Sequence, residues 1–469
     1  MAEHGHALRE SSLDLSVPRR LHIVGVGGVG MSALALLLAR MGHDVSGSDT
    51  HDPAMRKRLE EAGVRVLSGN RPENVPTHAD AVIYSTAVPQ SNAELVTARE
   101  RGLRVVHRAQ ALAGIASTRR TVAVAGSHGK TTISSMLTII LRAAGWDPSF
   151  LVGGEPHQIG SNAGFGRGDW LVVEADESDG TFLRLAPDAA LVTNIEPDHL
   201  EYYGDFEGLV AAFDQFVASL SGPVVGCVDD TEVRRLSARY PRLRTYGTSP
   251  DAFYRIVDET DGQDACRFTL TAGETTLGEV VVPLGVKAAS NAAGAAAMAL
   301  ELGVEFSAAA RALRDFAGVA RRFERRGERD GVTFVDDYAH LPSEVAAAIE
   351  TARLGPWHRV IAVFQPHRYT RTGKLWRDFA DAFTVADTLV LTDVYPAGEP
   401  PVEGVSGRLI VHAVLDAHPD LPVAYLPRRE DLVDVPRRWA RPGDVILTLG
   451  AGDLTTMPDV WLAESESQP

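Results

Sequence analysis

Apolar and polar positions along this chain switch between two periods, and each switch marks a strand running through a turn into a helix. Leu21 to Val24 form a short apolar run, followed by the turn Gly25-Val26-Gly27-Gly28-Val29-Gly30. An apolar helix pattern then runs through Ala39 to Gly42, and a second strand reaches Asp49, which together make a βαβ unit. Val122 to Ala125 repeat the strand pattern, and Ile133, Met136, Leu137, Ile140, Leu141 and Ala144 recur at helical spacing until Gly145. Apolar runs at 170–173 and 189–193 end in the acidic tips Glu174-Ala175-Asp176-Glu177-Ser178-Asp179 and Asn194-Ile195-Glu196-Pro197-Asp198-His199. From 251 to 283 the texture changes to short β-type runs with turn residues between them, which predicts a small antiparallel extension. Helices are predicted from about Asn291 to Leu302 and up to about Phe316, before the pair Arg321-Arg322. The last third alternates again, with four strands ending in Asp336-Asp337-Tyr338-Ala339-His340, Gln365 to Arg371, Thr392 to Tyr395 and Gly450 to Asp453.

This pattern predicts an α/β protein of three domains. Residues 1–117 form a Rossmann-like domain, 118–320 a P-loop-type domain with the antiparallel extension, and 321–469 a second Rossmann-like domain. A chain of 469 residues exceeds what one hydrophobic core supports, which agrees with that division. The net charge of −16 argues against nucleic acid or an anionic membrane as partner, so any anionic ligand must be held by local groups. No apolar run is long enough for membrane insertion, and residues 1–18 read as a disordered lead-in without the apolar segment of a signal peptide. Cys227 and Cys266 offer neither a disulfide framework nor a metal quartet, which suits a reducing cytoplasm.

The candidate chemistry centres on Gly126-Ser127-His128-Gly129-Lys130-Thr131-Thr132. Lying at a helix N-terminus, these residues offer free backbone N–H groups to a phosphate, a lysine to its outer oxygens and a hydroxyl, Thr131, to Mg²⁺. The loop is shorter than the usual P-loop pattern, and a plain glycine turn before a core helix is the alternative. Lys130 is one of only four lysines in a chain that otherwise uses arginine, which favours the phosphate reading. Carboxylates on neighbouring strand tips would hold Mg²⁺, and Glu174 and His199 are the sharpest candidates. The first glycine turn, with Gly27, Gly28, Val29 and Gly30, suits a nucleotide diphosphate, with Asp49 at the spacing of a ribose-binding acid. Ser85, Thr86 and Arg108 end neighbouring strands and are candidates for the same ligand. The C-terminal edge carries His340, His367, Arg368 and Arg371, a cationic set suited to a carboxylate. An ATP-driven joining of two substrates, one a nucleotide conjugate, uses all three parts, and sites shared between domains imply closure.

The chain resembles the Mur ligases of peptidoglycan synthesis. The matching stretches are Gly25 to Ser32, Ala125 to Thr132, Glu174 to Asp179, Thr193 to His199, Arg321 to Phe323, Asp336 to Tyr338, Phe364 to Arg371, Val394 to Glu399 and Gly450 to Asp453. The resemblance implies a cytoplasmic ligase, a monomer or weak homodimer, that uses ATP and Mg²⁺ (or Mn²⁺) to join L-alanine to the lactyl carboxylate of UDP-N-acetylmuramate through an acyl phosphate. In that scheme Lys130 holds the β- and γ-phosphates, Thr131 and Glu174 ligate one Mg²⁺, and His199 ligates a second. Asn291 faces the adenine, Arg322 the ATP phosphates and Asp337 the ribose. Tyr338, His340, Arg368 and Arg371 lie near the amino acid and the transferring phosphoryl group. Four positions depart from the family pattern: Lys287 replaces a histidine, Ala288 one of two adenine-side asparagines, Leu341 a second histidine, and Ser127 a threonine. Two competing readings are the recycling ligase that attaches a whole peptide to the same nucleotide sugar, and a nucleotide-binding regulator that has lost catalysis.

Overall fold

The computed structural model describes residues 13–50, 55–262 and 264–463. Its strands form three sheets. The first contains β1 (Arg20–Val24), β2 (Asp44–Asp49), β3 (Arg65–Ser68), β4 (Ala81–Tyr84) and β5 (Val105–His107) in the order β3-β2-β1-β4-β5, with every neighbouring pair parallel. The order reverses beside β1, so the glycine turn after β1 lies at the switch point where open parallel sheets bind ligands.

The second sheet repeats this logic on a larger scale. Its strands are β6 (Arg120–Ala125), β7 (Ser149–Leu151), β8 (Ala163–Gly164), β9 (Trp170–Glu174), β10 (Ala189–Val192), β11 (Val224–Cys227), β12 (Leu243–Gly247), β13 (Tyr254–Asp261), β14 (Ala265–Ala272) and β15 (Thr275–Pro283). The order is β15-β14-β13-β12-β11-β10-β6-β9-β7-β8. Val122 to Ala125 are fully buried, as a central parallel strand covered on both faces requires. Because β6 runs parallel to β9 and β10, the turn after β6 and both acidic tips emerge at one sheet edge. The meander β13-β14-β15, joined by two- and three-residue turns, is the expected antiparallel extension.

The third sheet has β16 (Glu324–Arg329), β17 (Val332–Asp337), β18 (Val360–Phe364), β19 (Thr388–Leu391), β20 (Val423–Tyr425) and β21 (Val445–Leu449) in the order β16-β17-β21-β18-β19-β20. Only β16 pairs antiparallel, along an edge. The chain separates into two compact units, one of residues 1–257, 269–280 and 290–316, the other of 258–268, 281–289 and 317–469.

The lead-in departs from expectation where it is described. Residues 1–12 lie outside the described residues, but Leu13 and Leu15 are each 3% exposed within the first core. Gly114, in the helix Arg108–Ala116, has no side chain where the Leu13 carbonyl oxygen and the Leu15 methyl approach. Two alternate leucines are enough to seat this segment, because burying each contributes roughly 1.5–3 kcal/mol.

Candidate functional site

The phosphate-type loop is held by the strand tip beside it. Gly126 has φ 134° and Gly129 φ 84°, values that only glycine adopts readily, and Gly129 starts the helix Lys130–Ala143. The Asn194 side chain accepts a hydrogen bond from His128 N at 2.8 Å, and its amide returns one to the His128 carbonyl at 3.2 Å. Thr193 Oγ1 donates to the same carbonyl at 2.6 Å. Glu196 N donates to Ser127 Oγ at 2.9 Å, and the Glu196 carboxylate lies 3.1 Å from His128 Nε2. The tip after β10 thus fixes two consecutive loop residues, Ser127 and His128. Its polar run was visible in the sequence, but which side chains turn back to the loop was not.

Lys130 folds over this loop. Its ammonium donates to the Gly126 carbonyl, to Ser127 O at 3.1 Å and to Glu177 Oε1 at 2.8 Å. Burial alone would lower its pKa, but the Glu177 charge, with Glu174 and Asp176 behind it, raises it above the usual lysine range. A permanently charged lysine at a helix N-terminus is a phosphate-binding device. One turn on, Thr131 Oγ1 donates to Glu174 Oε1 at 3.1 Å, while Glu174 Oε2 accepts from Gly153 N at 2.6 Å. A hydroxyl and a carboxylate oxygen this close are the hard donors that Mg²⁺ prefers. Thr132 follows in the first helical turn, half-buried. Asn291 is buried, and its Oδ1 lies 2.7 Å from where a Cβ on Gly129 would sit. The structure therefore brings residues 126–132, Glu174 and Asn291 together. His199 stands at the start of a short helix with φ 55°, and its Nε2 lies 3.2 Å from Asp198 Oδ2.

In the first sheet Gly25 N and Val26 N both donate to Ser48 O at 2.9 Å, and Gly27 N donates to Asp49 Oδ2 at 2.9 Å. The acid expected at a ribose thus has one oxygen closing the glycine turn. Val29 is 68% exposed at the start of the helix Val29–Arg40, next to Gly28 and Gly30. The 85–88 turn, with Ser85 and Thr86, packs Val88 against Gly25. Arg108 reaches past Gly30 and binds Asp176 Oδ2 at 2.7 Å and Asp179 Oδ2 at 3.1 Å. Asp176 is held at about 2, because Arg108 and Lys130 outweigh the opposing effect of burial. The tip after β9 therefore serves both glycine turns, a connection no local pattern announced.

The second unit gathers the cationic edge. Arg321 and Arg322 lie over the Tyr338 ring, with guanidinium carbons 4.7 and 5.0 Å from its centroid. Asp337 accepts from Phe323 N at 2.7 Å and Ala339 N at 2.8 Å, and burial pushes it up to about 6. These bonds pin the 321–323 segment to the end of β17. His340 stacks edge-on against both Tyr338 and His367. Arg371 donates to His367 Nδ1 at 3.2 Å. Burial, then His340, Arg371 and Arg368, hold His367 down to about 3, so it is a neutral acceptor. Arg368, at φ 69° before the helix Tyr369–Leu375, faces Glu399 at 3.4 Å.

A charged lysine on a glycine loop, a hydroxyl–carboxylate pair and a second glycine turn of dinucleotide type define a class, the phosphate-loop nucleotide-binding proteins built from α/β domains. Comparison with known proteins narrows that class. The description "Mur ligase family, catalytic domain" matches residues 20–120, "Mur ligase middle domain" residues 124–299, and "Mur ligase, glutamate ligase domain" residues 321–452. The UDP-N-acetylmuramate–L-alanine ligase of Rubrobacter xylanophilus is 46% identical over 95% of this chain and 99% of its own. That of Pelotomaculum thermopropionicum is 44% identical over 93% and 95%. Among solved structures, the UDP-N-acetylmuramate-alanine ligase of Thermotoga maritima superposes with a TM-score of 0.81 at 26% identity, covering 95% and 98% of the two chains. A murein peptide ligase of Psychrobacter arcticus superposes at 0.70 with 25% identity and the same coverage. This chain belongs to the Mur ligase family.

Proposed function

We propose that the chain is an ATP-dependent ligase that joins L-alanine to the lactyl carboxylate of UDP-N-acetylmuramate in the cytoplasm. The observation that carries this reading is the Lys130 loop with Thr131 Oγ1 set against Glu174, in a chain 44–46% identical to relatives named for that reaction. A carboxylate oxygen attacks the γ-phosphorus, the bond to the β-phosphate oxygen breaks, and ADP leaves. The amine of L-alanine then attacks the acyl carbon, loses a proton and expels phosphate. Both steps build negative charge on phosphoryl oxygens, which fixed positive groups stabilise without reorganising.

In this reading Lys130 and the N–H groups of residues 126–132 bind the β- and γ-phosphates. Asn291 orders the loop beside the adenine side. Thr131, Glu174 and His199 would hold Mg²⁺, which when bound neutralises phosphate charge and fixes the carboxylate for in-line transfer. The turn of Gly27, Gly28, Val29 and Gly30, with Asp49, Ser85, Thr86 and Arg108, binds the UDP-sugar. Tyr338, His340, Arg368 and Arg371 serve the amino acid and the phosphoryl group, and Arg322 and Asp337 the nucleotide. No described helix is long and apolar enough to cross a membrane.

Phosphate release from Mg-ATP tests the proposal. It should require both UDP-N-acetylmuramate and L-alanine, with glycine and L-serine as weaker acceptors. Release that ignores either substrate sinks the ligase reading. Preference for a tripeptide acceptor would transfer the assignment to the recycling ligase.

A further inference from the structure

Below the first glycine turn lies a buried acid that the reaction scheme does not use. Glu94 and His22 are both 0% exposed, in a domain whose surrounding core is aliphatic. Glu94 sits in the first turn of the helix Ala93–Glu100, where the helix dipole favours an anion. Its carboxylate accepts four hydrogen bonds. Oε2 takes Ser48 Oγ at 2.6 Å and His22 Nε2 at 3.1 Å, while Oε1 takes Asn74 Nδ2 at 2.9 Å and Arg71 N at 3.1 Å. A buried carboxylate so fully satisfied is a rigid fixture, whereas a partly satisfied one would be costly.

Two of those bonds lead straight to the glycine turn. Ser48, whose hydroxyl binds Glu94, receives Gly25 N and Val26 N on its carbonyl oxygen. Asn74, whose amide binds Glu94, also donates to Gly69 O at 2.7 Å. Gly69 N in turn donates to Asp49 O at 2.6 Å, and the Asp49 carboxylate holds Gly27 N. One buried carboxylate therefore sits behind the backbone of Gly25, Val26 and Gly27 along two separate routes. We infer that Glu94 is a positioning residue for the diphosphate of the nucleotide sugar. By fixing the N–H groups of Gly25, Val26 and Gly27, it sets the path of the turn into the helix Val29–Arg40, whose first N–H groups are the ones offered to the ligand, and it does not touch the ligand itself. This inference rests on the assignment of that turn to the UDP-sugar.

Glu94→Gln probes the role with little change of shape. On the Oε1 side the amide would meet two donors, Arg71 N and Asn74 Nδ2, that have no acceptor form. The amide must therefore face His22 and Ser48 as a donor, so His22 Nε2 has to become an acceptor and the Ser48 O–H loses the oxygen it donates to. Loss of one such buried bond corresponds to about a tenfold rise in KM for UDP-N-acetylmuramate. KM for ATP and for L-alanine should stay within about twofold. A merely structural role would instead lower the melting temperature and the active fraction, reducing kcat and leaving every KM unchanged. An unchanged KM for UDP-N-acetylmuramate therefore overturns the inference, whatever happens to kcat. Should Glu94→Gln fail to fold, Ser48→Ala removes the hydroxyl tie alone, and the same selective rise, or its absence, decides. Calorimetric titration of the wild-type protein with UDP-N-acetylmuramate separates the two claims. No binding there sinks the assignment of the turn, whereas wild-type binding matched by an equally tight Glu94→Gln sinks only the role of Glu94.

Discussion

The two glycine turns of the first unit share one plan, strand to turn to helix, yet they are held by different means. The turn at residues 126–129 is gripped by side chains from the neighbouring strand tip and crossed by a charged lysine. The turn at residues 25–30 contains no cation of its own, and its first three N–H groups are tied to the Ser48 carbonyl and the Asp49 carboxylate, over the buried Glu94. The difference follows the ligands proposed for them. A phosphoryl group in transfer develops charge that a lysine must follow, whereas a diphosphate that only anchors a substrate needs fixed dipoles. Positive charge in the first turn would tighten binding without speeding the reaction.

The largest effect that tests this contrast is Lys130→Ala. Turnover should fall by at least about 1,000-fold, the scale for losing a charge that follows the transition state. Because Glu177 is 3% exposed, the variant also leaves a buried carboxylate unpaired, which costs roughly 3–5 kcal/mol. Combining it with Glu177→Gln should restore the melting temperature but not turnover. Activity within tenfold of wild type in either variant would refute the placement of the γ-phosphate.

Next come the glycines themselves. A Cβ on Gly126 would run into Thr193 Oγ1 at φ 134°, so Gly126→Ala should cost more than about 2 kcal/mol and abolish ATP binding. Gly28 has φ −65°, and a Cβ there meets nothing nearer than Gly25 O at 3.6 Å. Gly28→Ala should stay within about 0.5 kcal/mol of wild type in urea unfolding. Equal losses in the two variants would show that the turns are supported alike. A smaller loss is expected for Asn194→Ala, which removes both bonds to the His128 peptide. KM for ATP should rise about tenfold while KM for UDP-N-acetylmuramate holds. A rise in both would mean the strand tip supports the whole unit and not one loop.

The two turns also differed in how far the sequence disclosed them. Both were legible because period-2 and period-3.6 patterns meet at clustered glycines, and because parallel strands send their C-terminal tips to one edge. The pattern alone puts Lys130, Thr131 and Glu174 at that edge. The supports could not be placed. Asn194 and Glu196 read as part of an acidic tip, since the direction a side chain turns depends on a partner 66 or 68 residues away. Glu94 carries no local signal of its role, since an acid in the first turn of a helix is ordinary. Its burial is stabilised by groups at positions 22, 48, 71 and 74, which no local window joins. Leu13 and Leu15 were missed for a related reason, because two leucines in a polar lead-in acquire meaning only from the gap at Gly114. Arg108 read as a ligand-facing cation, and its pairing with Asp176 and Asp179 depends on a different sheet.

The finest test of the contrast uses protons. Burial would raise the Glu94 carboxyl, but its bonds from His22, Ser48 and Asn74 bring it below the ordinary 4.5. A carboxyl whose folded value lies below its unfolded one stabilises the fold above the unfolded value and loses that contribution as the pH drops through the folded one. Glu94→Gln has no such titration. The stability gap between wild type and Glu94→Gln, measured by urea unfolding, should therefore be widest near neutral pH and narrow as the pH falls below 4.5. Over the same range KM for UDP-N-acetylmuramate in the wild type should drift toward that of the variant, while KM for ATP keeps its own profile. A gap that stays constant with pH would mean the carboxylate's charge contributes nothing to the first turn. The two turns would then differ only in the presence of a lysine, and not in how their supports are charged.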